Sequence, residues 1–122
     1  FDLQTIKAIQ TIGNQGDGRF ETWFDALEFM KSEIDKRDYD VCLLGCGAYG
    51  MPLAAHVKRS GKKAVHLGGS LQLLFGIRGA RWENSNYNAT YNYSKLMNEF
   101  WVKPSATETP SKAQQVEEGC YW

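Results

Sequence analysis

The sequence predicts an α/β fold in three layers, with a short, mainly parallel sheet and an irregular, aromatic-rich C-terminal tail. Two short apolar runs, Val41–Leu44 and Ala64–Leu67, are each followed by glycines and then by a helical pattern. Runs that are apolar at every position are typical of strands covered on both faces by helices. Because strands and helices alternate with short connections, the strands are expected to lie parallel and to be joined by crossovers.

The N-terminal part of the chain predicts one strand and one helix. Leu3–Ile12 mixes β-branched with polar residues and stops at a glycine, as a strand does. Large apolar residues then recur at helical spacing, and Thr22 stands where the N-cap of that helix is expected. The residues of this stripe are Trp23, Leu27, Met30 and Ile34.

Two further helices are predicted, one after each apolar run. The first extends from Pro52 to Arg59 and is closed by Gly61. The second covers Leu71–Phe75, with Ser70 as its cap. These helices complete the alternation of strand and helix that a parallel sheet requires.

From Trp82 onward the sequence changes character. Residues 83–94 are rich in Asn and Tyr without a regular period, which indicates an ordered loop. Short helices are predicted over Lys95–Val102 and Pro110–Glu118, and Thr109 is expected to cap the second.

The chain is expected to form one domain. Its 122 residues are enough to bury about two-thirds of the unfolded surface in a single core. Residues 1–82 would form the sheet and the helices, and residues 83–122 a tail that wraps around them. We also expect the chain to be the C-terminal part of a longer protein. Its expected protein partners are the N-terminal half of that protein or further copies of the same chain.

Charge and cysteine content exclude several classes of protein. Equal numbers of basic and acidic side chains, 14 of each, leave no net charge, so no nucleic-acid partner is expected. The longest uncharged stretch is too short and too rich in glycine for a membrane span, which needs about 20 apolar residues. A set of 3 cysteines is too small and uneven for a disulfide framework, which favours a reducing compartment, the cytoplasm.

The glycine-rich turn after the first apolar run points most directly to chemistry. Gly45, Gly47 and Gly50 follow a predicted strand and open a predicted helix, the context in which this spacing holds a phosphate. Such glycines let the chain turn sharply and bring backbone N–H groups close to an anion. A dinucleotide site of the usual kind adds an acidic residue after the next strand, where this sequence has only Val65–Gly69. In the alternative interpretation, the glycines serve only a tight turn.

A second glycine-rich turn follows the second apolar run. It contains Gly68, Gly69 and Ser70, and we expect it to open at the same edge of the sheet as the first turn. Its N–H groups and hydroxyl would face the same anion. Arg78 and Arg81 follow this turn and are expected to neutralise a bound phosphate.

The distribution of charge supports an anionic ligand. No Asp or Glu stands between Val41 and Trp82. The basic residues at the end of the predicted helix are expected to be solvated partners of the helix dipole rather than ligand contacts. They are Lys58, Arg59, Lys62 and Lys63.

Several other side chains are candidates for ligand contacts, each with a structural alternative. His66 lies near the end of the second strand, where it would either hydrogen-bond a ligand or be satisfied in the core. Tyr49 and Trp82 would stack on a base or sugar, or cover the loop. Cys46 lies at a helix N-terminus but has no catalytic partner pattern, so a buried packing role is expected. No catalytic residue is assigned.

A family resemblance rests on the same residues. The run DVCLLGCGAYGMPLAAHVKRSGKKAVHLGGSLQLLFGIRGARW, together with the closing VEEGCYW, resembles the C-terminal part of a group of largely uncharacterised microbial proteins. That group is in turn similar to glycosyltransferases of the GT-D type. The resemblance implies a Rossmann-like fold and a nucleotide-sugar donor, that is, a small anionic ligand.

Glycosyltransferases of this type also use an acidic metal-binding motif earlier in the domain, and we do not find that motif in this sequence. Gly16-Asp17-Gly18 is similar to one of their elements, but Arg19 follows where those enzymes have Glu. A divalent metal ion is therefore not part of the expectation.

Three functions from different classes remain open. The first is a nucleotide-sugar-binding domain of a glycosyltransferase-like protein, whose catalytic acids a longer chain would supply. The second is a noncatalytic module that binds a nucleotide or phosphate. The third is a structural or assembly domain, whose glycines serve turns and whose aromatic tail packs onto a partner.

Overall fold

The fold is taken from a computed structural model that describes residues 1–11, 18–88 and 90–122. Its contacts divide the chain into two compact units, Phe1–Gly68 and Gly69–Trp122. Mixed α/β structure is confirmed, because the first unit contains a parallel pair of strands together with helices.

Helix α1 of the first unit spans Trp23–Asp35 and begins at the predicted cap. The Thr22 hydroxyl accepts a hydrogen bond from the Asp25 N–H at 3.2 Å, and the Thr22 N–H donates to the Asp25 carboxylate at 2.9 Å. This reciprocal pair is a capping box, which satisfies two backbone donors that the first helical turn leaves free. Three residues of the predicted stripe are buried on α1, and Ala26 joins them; Trp23, the fourth, is only partly buried against the same core. The buried residues are Ala26, Leu27, Met30 and Ile34.

Strands β1, Val41–Leu44, and β2, Lys63–His66, pair in parallel with Val41 opposite Lys63 and Leu44 opposite His66. The prediction that these two runs are neighbouring parallel strands is confirmed, although β2 begins one residue earlier than expected. Helix α2, Gly50–Arg59, connects them and ends before Gly61. Gly61 has a φ of +82°, a left-handed conformation that glycine adopts readily.

Helices cover one face of this sheet and leave the other exposed. Leu44 is buried with Leu53 and Val57 of α2 in the core, together with α1 residues. Alternate positions of the strands point the opposite way, and the side chains there remain between 40 and 45 % exposed. These are Val41, Leu43 and Val65. The expectation of strands covered on both faces is therefore wrong for the described residues.

The strand predicted over Leu3–Ile12 is also absent from the described part, residues 3–11. Ile9 is nevertheless buried in the same core as α1 and α2. The Gln4 side chain donates to the Asp38 carbonyl at 3.0 Å. The segment thus packs through its side chains without joining the ladder, and a pattern of alternating burial alone cannot tell these two arrangements apart.

The second unit consists of short helices and turns. Helices α3, Ser70–Leu74, and α4, Ala80–Glu83, are its α-helical elements among the described residues. Ser70 does not cap α3, because Gly69 occupies the N-cap position. The backbone N–H groups of Ala80 and Arg81 donate to the carbonyls of Trp122 and Cys120, so the chain terminus is tied to α4.

The helices predicted in the tail are not formed as α-helices. In their place the chain has short 3-10 turns at Tyr93–Leu96, Ala113–Gln115 and Glu117–Gly119. Side-chain oxygens of Asn residues accept bonds from backbone N–H groups two residues on, which favours turns over helix. The residues involved are Asn84, Asn88, Asn92 and Asn98. Thr109 is likewise no N-cap; its hydroxyl donates to the Ser105 carbonyl at 3.0 Å.

Candidate functional site

The turn between β1 and α2 has the shape that its glycines predict. Gly47 has a φ of +53°, and a Cβ placed there would meet nothing within 4 Å. Only the backbone conformation therefore calls for glycine at this position. Gly47 opens a 3-10 turn, Gly47–Tyr49, which leads directly into α2.

Two backbone donors of this turn are available to a ligand. Gly47 and Ala48 are exposed, and among the described residues neither N–H makes a hydrogen bond. Both stand just ahead of the first turn of α2, a helix of 10 residues whose dipole favours negative charge at this end. Free N–H groups at a helix N-terminus are the arrangement that binds phosphate and carboxylate groups.

His66 lies beside this turn, at the carboxyl end of β2. A Cβ built on Gly50 would be 2.1 Å from the His66 Nε2 atom, so the ring occupies the space that any side chain at Gly50 would need. Within the described chain, His66 Nε2 is buried and has no hydrogen-bond partner. The third glycine of the pattern thus allows the helix to pack against the strand, and a polar ring atom is left unsatisfied beside the loop.

Tyr49 is placed in the core rather than over the loop. It is 4 % exposed, and its ring stacks on Trp23 with centroids 4.7 Å apart. Its hydroxyl lies 3.1 Å from the Thr11 Oγ1 atom. These contacts favour the structural role, in which Tyr49 packs under the turn, over stacking on a base or sugar.

Cys46 in the turn and His56 in the last turn of α2 both have features that favour structural roles. Burial raises the pKa of the Cys46 thiol, which disfavours the thiolate needed for nucleophilic attack. The His56 Nε2 atom lies 2.8 Å from an Asp35 carboxylate oxygen and so connects α2 to α1.

Gly68, the first glycine of the second turn, ends the first unit with a φ of +56°, and a Cβ there would meet nothing within 4 Å.

The second glycine turn has the aromatic tail seated on it. A Cβ on Gly69 would be 2.6 Å from the Tyr121 Cε1 atom and 3.6 Å from the Trp82 Cζ2 atom. Trp82 is 4 % exposed, and its indole N–H donates to Gln72 at 3.4 Å. The space above Gly69 is therefore filled by the chain itself, and Trp82 belongs to the core of the second unit. Ser70 is exposed at the start of α3.

Both candidate arginines bind carboxylates of their own unit. The Arg78 guanidinium lies 2.6 Å from a Glu83 carboxylate oxygen. Arg81 forms an ion pair with Glu117 and a 3.1 Å hydrogen bond to the Tyr121 hydroxyl. These guanidinium groups therefore have internal acidic partners, and their contact with a phosphate stays a prediction. Both acidic partners lie outside the acid-free stretch on which the prediction relied.

The structure thus separates the predicted site residues into two groups. Gly45, Gly47, Gly50 and His66 come together at the carboxyl edge of the parallel pair in the first unit. In the second unit, Gly69, Arg81 and Trp82 form a packed cluster with the chain terminus. No signal in the sequence pointed to Ala48, because an N–H group that bonds to no described residue follows from the turn geometry and not from the residue type.

No cluster of three or more His, Cys, Asp and Glu side chains suited to a metal ion occurs within residues 1–11, 18–88 and 90–122. Asp17 of the Gly-Asp-Gly element lies outside those ranges. In the same part of the chain, none of the helices has the length and apolar character needed to cross a membrane.

Comparison of the chain with protein-family models, with curated proteins and with solved structures finds no match.

Proposed function

We propose that this chain is a binding domain for a nucleoside diphosphate sugar, and that the turn Gly45–Gly50 holds the diphosphate. The observation that carries the proposal is the turn at the left-handed Gly47, where Gly47 and Ala48 are exposed and their N–H groups bond to no described residue ahead of α2. Backbone donors of this kind bind the phosphates of nucleotides in α/β proteins.

Charge and polarity around the turn support an anionic ligand. No acidic residue stands between Val41 and Trp82, so no carboxylate of this stretch repels a phosphate. His66 has a buried ring nitrogen beside the turn that bonds to none of the described residues. A phosphate oxygen or a sugar hydroxyl would satisfy that atom if the ring turned away from Gly50 on binding, since a histidine nitrogen either donates or accepts according to its tautomer.

The fold proposed for the complete sheet is Rossmann-like. In the parallel unit β1–α2–β2 the glycine turn stands at the carboxyl ends of the strands. Ligands of open α/β sheets bind at that edge. The resemblance to glycosyltransferases of the GT-D type, which implies a nucleotide-sugar donor, is part of the same proposal.

The role proposed for this chain is binding, and no residue is assigned to the transfer of the sugar. Sugar transfer needs acidic groups close to the donor, and the segment around the turn has none. No step through a metal ion is proposed. An enzyme built on this domain would take its catalytic acids from residues beyond those described here.

We also propose that the protein acts in a reducing compartment, the cytoplasm. Cys42, Cys46 and Cys120 are all free thiols. Unpaired cysteines are usual where glutathione and thioredoxin keep thiols reduced.

A second candidate function, an assembly domain without a small ligand, is favoured by one specific contact. Tyr121 occupies the space above Gly69, so the second glycine turn serves packing in this structure. If the first turn also served packing alone, the N–H groups of Gly47 and Ala48, which bond to no described residue, would have no ligand to bind.

A thermal-shift measurement distinguishes these functions. We expect UDP, GDP or one of their sugars to raise the melting temperature in a concentration-dependent way, with or without Mn²⁺. The test variant is Ala48→Glu, which places a carboxylate beside the free N–H groups at an exposed position and should abolish the stabilisation.

The matched control is the double variant Lys58→Glu/Lys63→Glu, which alters charge at the opposite end of α2 and β2. It should keep the nucleotide-dependent stabilisation. No response to any nucleotide in the folded wild-type protein, or an equal response in Ala48→Glu, would overturn the proposal.

A further inference from the structure

The first unit has a groove that extends from Met51, next to the glycine turn, along α2 to the start of β2. It has a volume of about 620 Å³ and runs between α2 and the start of β2. Its floor is apolar, formed by small side chains and by Met51, which is 68 % exposed. The lining residues are Met51, Ala54, Ala55, Lys58, Gly61, Lys62, Lys63 and Ala64.

The groove lies along a free strand edge. The sheet of the described residues has two strands, so β2 has a neighbour on one side only. The Leu67 N–H donates to the Leu44 carbonyl at 2.8 Å, and this bond shows which residues of β2 turn their backbone groups toward β1. Because such residues alternate along a parallel strand, the N–H and C=O groups of Ala64 and His66 point away from β1. No backbone group in the described part of the chain bonds to them from that side.

Basic side chains surround this edge. Lys58 and Lys63 are exposed, and neither forms an ion pair with any described residue. Lys62 is held in place, because its Nζ atom donates to the Arg37 carbonyl at 3.2 Å and lies 4.1 Å from the centroid of the Tyr39 ring. The groove therefore combines a positively charged rim, an apolar floor and backbone groups that bond to no described residue.

We propose that an extended acidic segment of a partner polypeptide adds to β2 as a third strand. Main-chain hydrogen bonds to Ala64 and His66 would supply affinity, as in other cases of strand addition. Acidic side chains of the partner would pair with Lys58 and Lys63, and small apolar side chains would cover Met51 and the alanine floor. Lysines that pair with no acidic group among the described residues flank this edge; they disfavour a basic or apolar strand there and favour an acidic one by charge.

The experiment uses the whole chain and a synthetic probe of about six residues, capped at both ends, in which valine and glutamate alternate. Binding is measured by fluorescence anisotropy, and the site by amide NMR. We expect the Ala64 amide resonance to shift. A probe of the same length in which lysine replaces every glutamate should bind at least about tenfold more weakly.

Two further comparisons separate strand addition from simple charge attraction. A probe with N-methylated backbone amides keeps its charge and should lose at least about tenfold in affinity, because it cannot complete the ladder. The variant Lys58→Glu/Lys63→Glu should lose binding, whereas Lys7→Glu/Lys95→Glu, which has the same net charge outside the groove, should retain it.

Absence of binding, or equal affinity for the N-methylated probe, would overturn the proposal. Self-association of the chain in sedimentation experiments, abolished by Lys58→Glu/Lys63→Glu, would also overturn it, because the occupant would then be a second copy. Failure here leaves the nucleotide site untouched, because the Ala48→Glu variant and the nucleotide probes report on the turn alone.

Discussion

Gly50 and His66 are packed so closely that the His66 ring occupies the position of a side chain at residue 50. An added Cβ on Gly50 would lie 2.1 Å from Nε2 and 2.2 Å from Cδ2 of the ring. Gly50 itself has φ −61° and ψ −45°, so its backbone is helical and would accept any residue. The requirement for glycine at this position therefore comes from the contact and not from the backbone.

Substitution of Gly50 by alanine is expected to destabilise the protein by about 1–3 kcal/mol, the usual cost of overpacking. The His66 ring would have to leave its place against α2. Urea unfolding of Gly50→Ala, His66→Ala and the double variant measures this coupling. In the His66→Ala background, Gly50→Ala should be neutral or stabilising, since alanine favours helix. Equal effects in both backgrounds would show that the two residues are not coupled.

Gly47 should respond differently, because its constraint is conformational. At a φ of +53°, Gly47→Ala is expected to cost about 1–2 kcal/mol even though the added Cβ has free space. Gly47→Asn should cost less, because asparagine tolerates the left-handed region better than alanine. Chemical unfolding of both variants provides the comparison, and a Gly47→Asn variant less stable than Gly47→Ala would contradict this account.

The capping box of α1 makes a prediction for the first unit. Thr22→Ala should lower the free energy of unfolding by about 1 kcal/mol, because it removes the acceptor for the Asp25 N–H. Thr22→Ser keeps the hydroxyl and serves as the matched control. Urea denaturation with equal stabilities for wild type and Thr22→Ala would mean that the cap is not formed in solution.

Glu83 links stability of the second unit to pH. Hydrogen bonds from Lys103 and then Arg78 lower the pKa of Glu83 below its ordinary value of 4.5. A carboxyl whose pKa is lower in the folded state stabilises the fold above its unfolded pKa, and this contribution is lost as pH falls through the folded pKa. Glu83→Gln should therefore cost up to about 1 kcal/mol at neutral pH, with the side chain 25 % exposed.

Thermal unfolding of wild type and Glu83→Gln between neutral pH and about pH 3 measures this contribution, because the ordinary carboxyl pKa lies within that interval. The two melting temperatures should converge at the acidic end. A difference that stays constant across the whole interval would show that the ion pairs with Lys103 and Arg78 contribute nothing to stability.

Elements fixed by local patterns were predictable from the sequence. Helix α1 and its cap depend on residues within one or two turns, and β1 and β2 are short apolar runs with glycine on one side. The predicted strand over Leu3–Ile12 failed because pairing depends on a partner that lies elsewhere in the chain. Exposure of Val41 and Leu43 depends in the same way on what covers the sheet.

The candidate site was predictable only in part, for the same reason. The conformation of Gly47 follows from its place between a strand and a helix. The pairing of Arg81 with Glu117 and the position of Tyr121 over Gly69 depend on where the chain terminus folds back. No local pattern around Arg81 reports that long-range contact.

An amide NMR titration of the whole chain with UDP-glucose tests most directly whether the turn Gly45–Gly50 holds a diphosphate. The account predicts that the amide resonances of Gly47 and Ala48 shift together with a single Kd, while that of Lys63 at the far end of β2 stays in place. Unchanged Gly47 and Ala48 resonances at saturating ligand, or shifts confined to other parts of the chain, would contradict it.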